Sequence, residues 1–322
     1  VTGVGFQPDW VWIKNRDGTR SHYLFDAVRG ATKELNTNNT NDENTNANGL
    51  QSFNSDGFTL GSEGEMNANS STFASWNWKA GAGAGSSNTD GSTNTTSTSV
   101  NTTAGFSISK YSGTGSNATI GHGLGVAPSL IIVKNLSIDG RNWQIFHHKN
   151  TASPATQQLE FGTDATATVT TQWNSAMPTS SVFSIGTNDS INKSGNDFIA
   201  YAFAEKTGYS KFGSYTGNGN ADGTYVYTGF KPAFVLIKNT ASGSTNWQMY
   251  DNKREGYNPQ NDLFRANLNS AEGNGTDPID IYSNGFKNMH TASSQNTNGD
   301  TYVYMAFGQS IVGSNDIAAT AR

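Results

Sequence analysis

The chain has 322 residues, only 14% of them charged, a formal net charge of −5, 36 glycines and no cysteine. Zero cysteine excludes disulfides, thiolate metal sites and thiol catalysis, and the lack of any Lys/Arg cluster argues against nucleic acid or an anionic membrane as partner. No apolar run approaches the roughly eighteen residues of a membrane span; a polarity made of Asn, Ser and Thr points to an extracellular or virion-type structural protein, and the lack of disulfides fits folding in a bacterial cytoplasm.

Read from the N-terminus, GFQPDWVWIKN at residues 5–15 is a strand: Pro on one side, β-branched and aromatic residues, then a polar loop. It returns as GVAPSLIIVKN at 125–135 and GFKPAFVLIKN at 229–239, so one supersecondary unit occurs three times. Lys14, Lys134 and Lys238 end the three runs, where a lysine can lay its stem over the core edge and keep its ammonium in water. Tyr23, Trp143 and Trp247 each follow their lysine by nine residues and are expected to be buried at equivalent places. Asp26 with Arg29, and Asp251 with Arg254, form a D-x-x-R pattern whose place in the second copy is taken by His147 and Asn150. An ion pair tying a strand end to its turn explains this pattern more simply than a glycosidase carboxylate pair. Residues 26–35 are the one weak helical stretch, and further strands are expected at 50–60, 182–185, 198–203, 279–282 and 302–307.

The Gly/Ser/Thr/Asn-rich stretch after the first closing strand reads as a flexible linker, or as an extended segment packed on a neighbour. Lead-in segments GFSISKYSGTG from Gly105 and GYSKFGSYTGNG from Gly208 precede the second and third copies; the first copy lacks one, so the polypeptide is expected to extend upstream. His147 and His148 point to opposite faces of a strand, and no His spacing fits a zinc site, so neither metal nor cofactor is expected. Trp173, in the TTQWNSAMP loop, is the best candidate for an exposed aromatic that touches a ligand.

The reading is all-β: three tandem β-sandwich units, jelly-roll or lectin-like, with long Asn/Gly/Ser/Thr-rich loops. The expected divisions are 1–80 (a first unit lacking its N-terminal strands), 81–104 (linker), 105–207 and 208–322. The only ionisable residues matched in all copies are the three lysines, so no catalytic residue is assigned and no enzyme activity is expected.

These strings also resemble a family of tandem-repeat proteins in marine bacteriophages. The resemblance rests on the G-F-x-P…K-N runs, the W-x-[IM]-[FY] strands, the DGF and NGF turns at Asp56 and Asn284, the closing strands, the WNWKAGAGAGSSNTDGS linker style and the terminal AFGQSIVGSNDIAATAR. Val126 replaces the ring of GF-x-P in the second copy, a departure from the pattern. The resemblance implies a virion or tail-fibre-like structural component, often tagged concanavalin A-like lectin/glucanase. The expectation is therefore a tail-fibre or appendage component of the virion that displays loops to a host-surface glycan or receptor. It would contact other virion proteins and form a homo-oligomer, a trimer in a fibre, or a filament. The alternatives are a capsid decoration or filament protein that binds only virion subunits, and, more weakly, a glycan-degrading spike.

Overall fold

The computed structural model describes residues 1–161, 166–168, 171–275 and 277–308. The first unit contains β1 (Trp10–Asn15), β2 (His22–Asp26), β3 (Lys33–Asn36), β4 (Asn44–Thr45), β5 (Leu50–Asn54), β6 (Gly57–Leu60), the single-turn helix α1 (Gly64–Asn67) and β7 (Phe73–Trp78). Its main sheet runs β4-β3-β2-β1-β7, and the β5-β6 hairpin forms a second layer. The second unit contains β8 (Ser97–Asn101), β9 (Phe106–Ser112), β10 (Ala118–Gly121), β11 (Leu130–Asn135), β12 (Gln144–His147), β13 (Gln157–Glu160), β14 (Ala167–Thr168), β15 (Val182–Ile185), the short helix α2 (Asp189–Asn192) and β16 (Asp197–Phe203). Its main sheet is β14-β13-β12-β11-β16-β9-β8, layered on β10-β15. The third unit contains β17 (Ser210–Thr216), β18 (Tyr225–Tyr227), β19 (Pro232–Asn239), β20 (Gln248–Asp251), β21 (Phe264–Arg265), β22 (Ile279–Tyr282), β23 (Gly285–Asn288) and β24 (Thr301–Gly308). Here β17-β24-β19-β20-β21 packs on β18-β23-β22.

The repeated strands were legible as dense apolar runs because both of their faces are buried. Strand alternation sends Val11 and Ile13, Ile131 and Val133, and Val235 and Ile237 into the separate cores between each unit's two layers. The residues between them, Trp10 and Trp12, Leu130 and Ile132, and Phe234 and Leu236, all enter one further core shared by the three main sheets. The units are therefore fused through a common centre. Trp10 stacks on Tyr201 of the second unit at 4.9 Å, and Trp78 meets Phe307 of the third at 5.6 Å.

Hydrogen bonds repeat around this centre with approximate threefold symmetry. The backbone N–H of Glu43 donates to the Leu136 carbonyl at 3.2 Å, that of Thr166 to Thr240 at 3.2 Å and that of Glu272 to Arg16 at 2.9 Å. Each acceptor lies two residues beyond a repeated lysine, and each bond joins one unit to the next around a ring. Likewise Trp143 Nε1 donates to the Asn36 carbonyl at 2.8 Å, and Trp247 Nε1 to the Glu160 carbonyl at 2.7 Å. The third member of this set is His22, edge-on to Phe264 at 5.9 Å, and not Tyr23. Tyr23 pairs with Ile13 as Gln144 pairs with Val133 and Gln248 with Ile237. The loop after Lys14 is one residue shorter than its counterparts, so a constant nine-residue offset moves Tyr23 to the opposite face, where it is only half-buried against the first unit's own core.

The same ring explains why the second copy lacks D-x-x-R. Tyr201 and Trp76 occupy equivalent positions on closing strands, opposite Ile132 and Trp12, and donate to the neighbouring unit's Asp26 (2.7 Å) and Asp251 (3.1 Å). Their counterpart opposite Leu236 is Met305, which has no donor. His147 stands in for the aspartate there and bonds the Tyr304 carbonyl through Nε2 at 3.1 Å, while its Nδ1 accepts the Lys149 N–H. Both ring nitrogens are committed in the neutral form, and burial lowers the imidazole from its ordinary 6.5 to about 3. Burial also pushes His22 well below 6.5. Protons therefore bind these rings more readily in the unfolded chain. Stability should hold above pH 6.5 and fall as pH drops through 6.5 towards about 3, beginning before carboxylates titrate. Urea midpoints at pH 7 and pH 5 test this, and a His147→Gln chain should show a smaller difference than the parent.

The structure decides two stretches that the sequence left open. The stretch at 81–104 is ordered: it contains β8, which joins the second unit's sheet. The buried Asp9 carboxylate anchors its start by accepting N–H groups from Ala80, Ala82 and Gly83 at 2.8–2.9 Å. These bonds and the Ser86–Thr98 bridge supply the hydrogen bonding that composition alone could not forecast. Residues 26–35 form a turn and β3 rather than a helix.

Candidate functional site

The three repeated lysines are buried, contrary to the expectation of ammonium groups in water. Each donates to backbone carbonyls: Lys14 to Asn15 at the end of its own strand (2.7 Å), Lys134 to Arg141 in the following loop and to Thr40 of the first unit (2.5 and 3.0 Å), and Lys238 to Thr245 in the following loop (2.5 Å). Burial, partly offset by nearby carboxylates, lowers Lys14 and Lys134 from 10.5 to about 8. Three such positions hold loops in place and face no open site.

Trp173 is buried as well, at 1% exposure, with its ring edge-on to Phe146 at 5.8 Å in the second unit's core. It cannot present a face to a ligand. The surrounding TTQWNSAMP polarity reads as a surface loop, yet the indole turns inward and packs among the second unit's core residues.

The D-x-x-R carboxylates are fully engaged. Asp26 accepts from the N–H groups of Val28 and Arg29, from the Arg29 side chain and from the Tyr201 hydroxyl. Asp251 accepts from the N–H groups of Lys253 and Arg254, from Arg254 Nε at 2.6 Å and from Trp76 Nε1. Burial alone would raise Asp251, but the Arg254 guanidinium and these hydrogen bonds outweigh it and hold the carboxyl below 3.8. A general acid needs the opposite shift. Among the described residues no group of three or more His, Asp or Glu side chains could hold a metal ion. No helix among them is long and apolar enough to cross a membrane.

The outer face of β18-β23-β22 is different. Register places Tyr225, Lys287 and Asp280 in one row and Tyr227, Gly285 and Tyr282 in the next, while Val226, Phe286 and Ile281 point inward to the third unit's core. Tyr225 lies across Gly285, where a Cβ would sit 2.7 Å from its hydroxyl, so the glycine leaves room for the ring to lie flat on the sheet. Its ring meets Tyr282 edge-on at 5.8 Å, and its hydroxyl donates to Asn284. Lys287 pairs with Asp222 beside it, and the Tyr282 hydroxyl donates to Asp280 at 3.2 Å. Asn258 bonds both backbone groups of Ile281, which brings the loop carrying Tyr257 alongside β22. Tyr227 and Tyr257 are 64% and 67% exposed.

Among the described residues seven large apolar or aromatic side chains are exposed, and four of them are these tyrosines. The corresponding face of the second unit carries Thr119, Gly121, Val182 and Ser184, and that of the first Ser52, Asn54 and Thr59. The aromatic face therefore belongs to one unit of three and is not required by the repeat. Tyr-Val-Tyr at 225–227 could have flagged it, since a strand that buries its single Val must expose both tyrosines. Tyrosines flanked by Asp280, Asp222, Asn284 and Lys287 offer ring faces for stacking beside groups that donate and accept hydrogen bonds.

Residues 1–310 match a family described as a domain of unknown function, DUF7483. No curated protein and no solved structure matches the chain.

Proposed function

We propose that this chain, which belongs to the DUF7483 family by the match over residues 1–310, is, in line with the resemblance of its repeats to tandem-repeat proteins of marine bacteriophages, a non-catalytic virion component of a tail fibre or appendage that attaches to host-surface glycan through the third unit's tyrosine face. The observation that carries this reading is the asymmetry of the three units: among the described residues only the third places several exposed rings among hydrogen-bonding side chains on an outer sheet face. Sugar rings present C–H faces that stack on such aromatics, and their hydroxyls suit Asp, Asn and Lys neighbours. The saturated Asp26 and Asp251 support a binding role over hydrolysis. Weak contact at one face becomes useful when copies act together, so the reading includes a homo-oligomer, a trimer in a fibre, or a filament in contact with other virion proteins.

The test is binding of the purified chain to host envelope polysaccharide on a sensor surface, with reducing ends followed in the same samples. Retention of the parent and about tenfold weaker retention of Tyr227→Ala, with no release of reducing ends, is the expected result. Because Tyr227 points outward, that variant should melt with the parent. Equal retention of both chains, or no retention of either, would remove the glycan reading; steady release of oligosaccharide would make the protein a degrading spike.

A further inference from the structure

The main sheets of the second and third units continue past their closing strands: β9 pairs along β16, and β17 along β24. Among the described residues the equivalent edge of β7 has no strand beside it. Trp78 and Thr72 turn their carbonyls towards Asp9 and Arg16 on the β1 side, so alternation leaves the backbone groups of Phe73, Ser75 and Asn77 facing away from β1. Beside them is a cavity of about 670 Å³ whose lining includes Phe73, Trp76, Trp78, Val4, Phe6 and Phe307. Asn77 Oδ1 is buried with no hydrogen-bond partner. An open sheet edge beside an aromatic-lined groove is an arrangement that an added strand satisfies.

The other two units specify what fits. In each, the flanking strand places an apolar residue in the shared centre opposite the position equivalent to Trp76, Ile108 (which Phe106 accompanies) or Phe212, and a tyrosine three positions later in the unit's own core, Tyr111 or Tyr215. Tyr111 stacks on Phe198 at 5.2 Å and Tyr215 on Tyr302 at 5.0 Å, and their hydroxyls donate to the Ile191 and Gln295 carbonyls. Phe198 and Tyr302 pair with Asn135 and Asn239, as Phe73 pairs with Asn15. Phe73 is the corresponding ring, half-buried on the groove. Val1 already bonds Phe58 on β6 in both directions, which is where β10 and β18 lie in their units, each directly after its flanking strand. Gly308 lines the groove, and the sequence that follows it, 309–322, contains no aromatic residue of the kind that stacks on Phe198 or Tyr302.

We propose that the edge of β7 is a docking site for one antiparallel β-strand of the lead-in type, with an apolar residue and a tyrosine three positions apart, supplied by polypeptide outside these 322 residues. Such a strand would pair with Phe73, Ser75 and Asn77, place its apolar side chain against Trp76 and its tyrosine against Phe73, and give the first unit the layout of the other two. The partner is recognised by backbone pairing and two pockets on opposite faces of the strand.

A labelled peptide with the sequence of residues 208–217, GYSKFGSYTG, added to the full chain tests this. The expected result is saturable one-to-one binding, a raised melting temperature, and protection of the Ser75 and Asn77 amides from hydrogen exchange. Replacing the second tyrosine of the peptide by Ala should weaken binding about tenfold. Three outcomes overturn the proposal. The first is absence of binding while those amides exchange freely. The second is protection in the chain alone that disappears when residues 309–322 are deleted, which would make the tail the occupant. The third is protection that appears only in a dimer, which would make the occupant a second copy. The tyrosine-face variants should leave peptide binding unchanged, so failure of the glycan reading and of this one are separable.

Discussion

Trp247→Ala is expected to lower the unfolding free energy by about 3 to 5 kcal/mol, the usual cost of removing a buried tryptophan. Trp247 is 3% exposed in the shared core, edge-on to Phe161 of the second unit at 5.3 Å, and it also satisfies the Glu160 carbonyl. Truncation opens a cavity and strands that carbonyl together. The form of the effect is as informative as its size. Because the main sheets of all three units share one core, the loss should move a single denaturation transition for the whole chain. In a string of independent sandwiches it would move one transition of several. Guanidinium unfolding followed by fluorescence and by far-ultraviolet circular dichroism distinguishes these outcomes, and an unchanged midpoint would contradict the assignment of Trp247 to the core.

Asp26→Ala should cost a comparable amount, about 3 to 5 kcal/mol, through electrostatics. Asp26 and Arg29 are both fully buried, and the carboxylate also accepts the Tyr201 hydroxyl across the unit boundary. Removing it leaves the guanidinium with the Leu24 and Lys33 carbonyls and with Glu43 at 3.4 Å, short of its closest counter-charge. Replacing the whole pair with apolar residues of similar volume should cost less than the single change, because the penalty comes from the unpaired charge. Tyr201→Phe should cost only the share of one hydrogen bond, about 1 kcal/mol. Chemical denaturation of the three variants checks the order. A single Asp26→Ala chain as stable as its parent would show that Arg29 reaches water.

Much of the fold is visible in residue order. Runs such as LIIVKN have no polar face because both faces are covered, and three copies of one run announce three like units. Asp-x-x-Arg is local, since its carboxylate bonds the next turn and the Arg three residues on, so spacing alone identifies it. What lies across the chain is hidden. A period of two separates two faces but does not say that one of them meets two other units. A one-residue difference in a loop was enough to put Tyr23 in the place that His22 holds. The tyrosine face escaped notice because aromatics in strand runs are core by default, and Trp173 misled because polar neighbours do not determine which way a ring turns.

Sequence by itself determined the all-β class, the threefold repeat and the central strands, because these depend on local propensity, side-chain alternation and comparison of one copy with another. Only the tertiary structure decided that the three units share a core, that His147 replaces an aspartate because Met305 offers no donor, that the lysines are buried, and that four tyrosines remain outside. Each of these depends on which residues meet in space, over separations that reach 157 positions between His147 and Tyr304, and side-chain alternation carries no information about such partners.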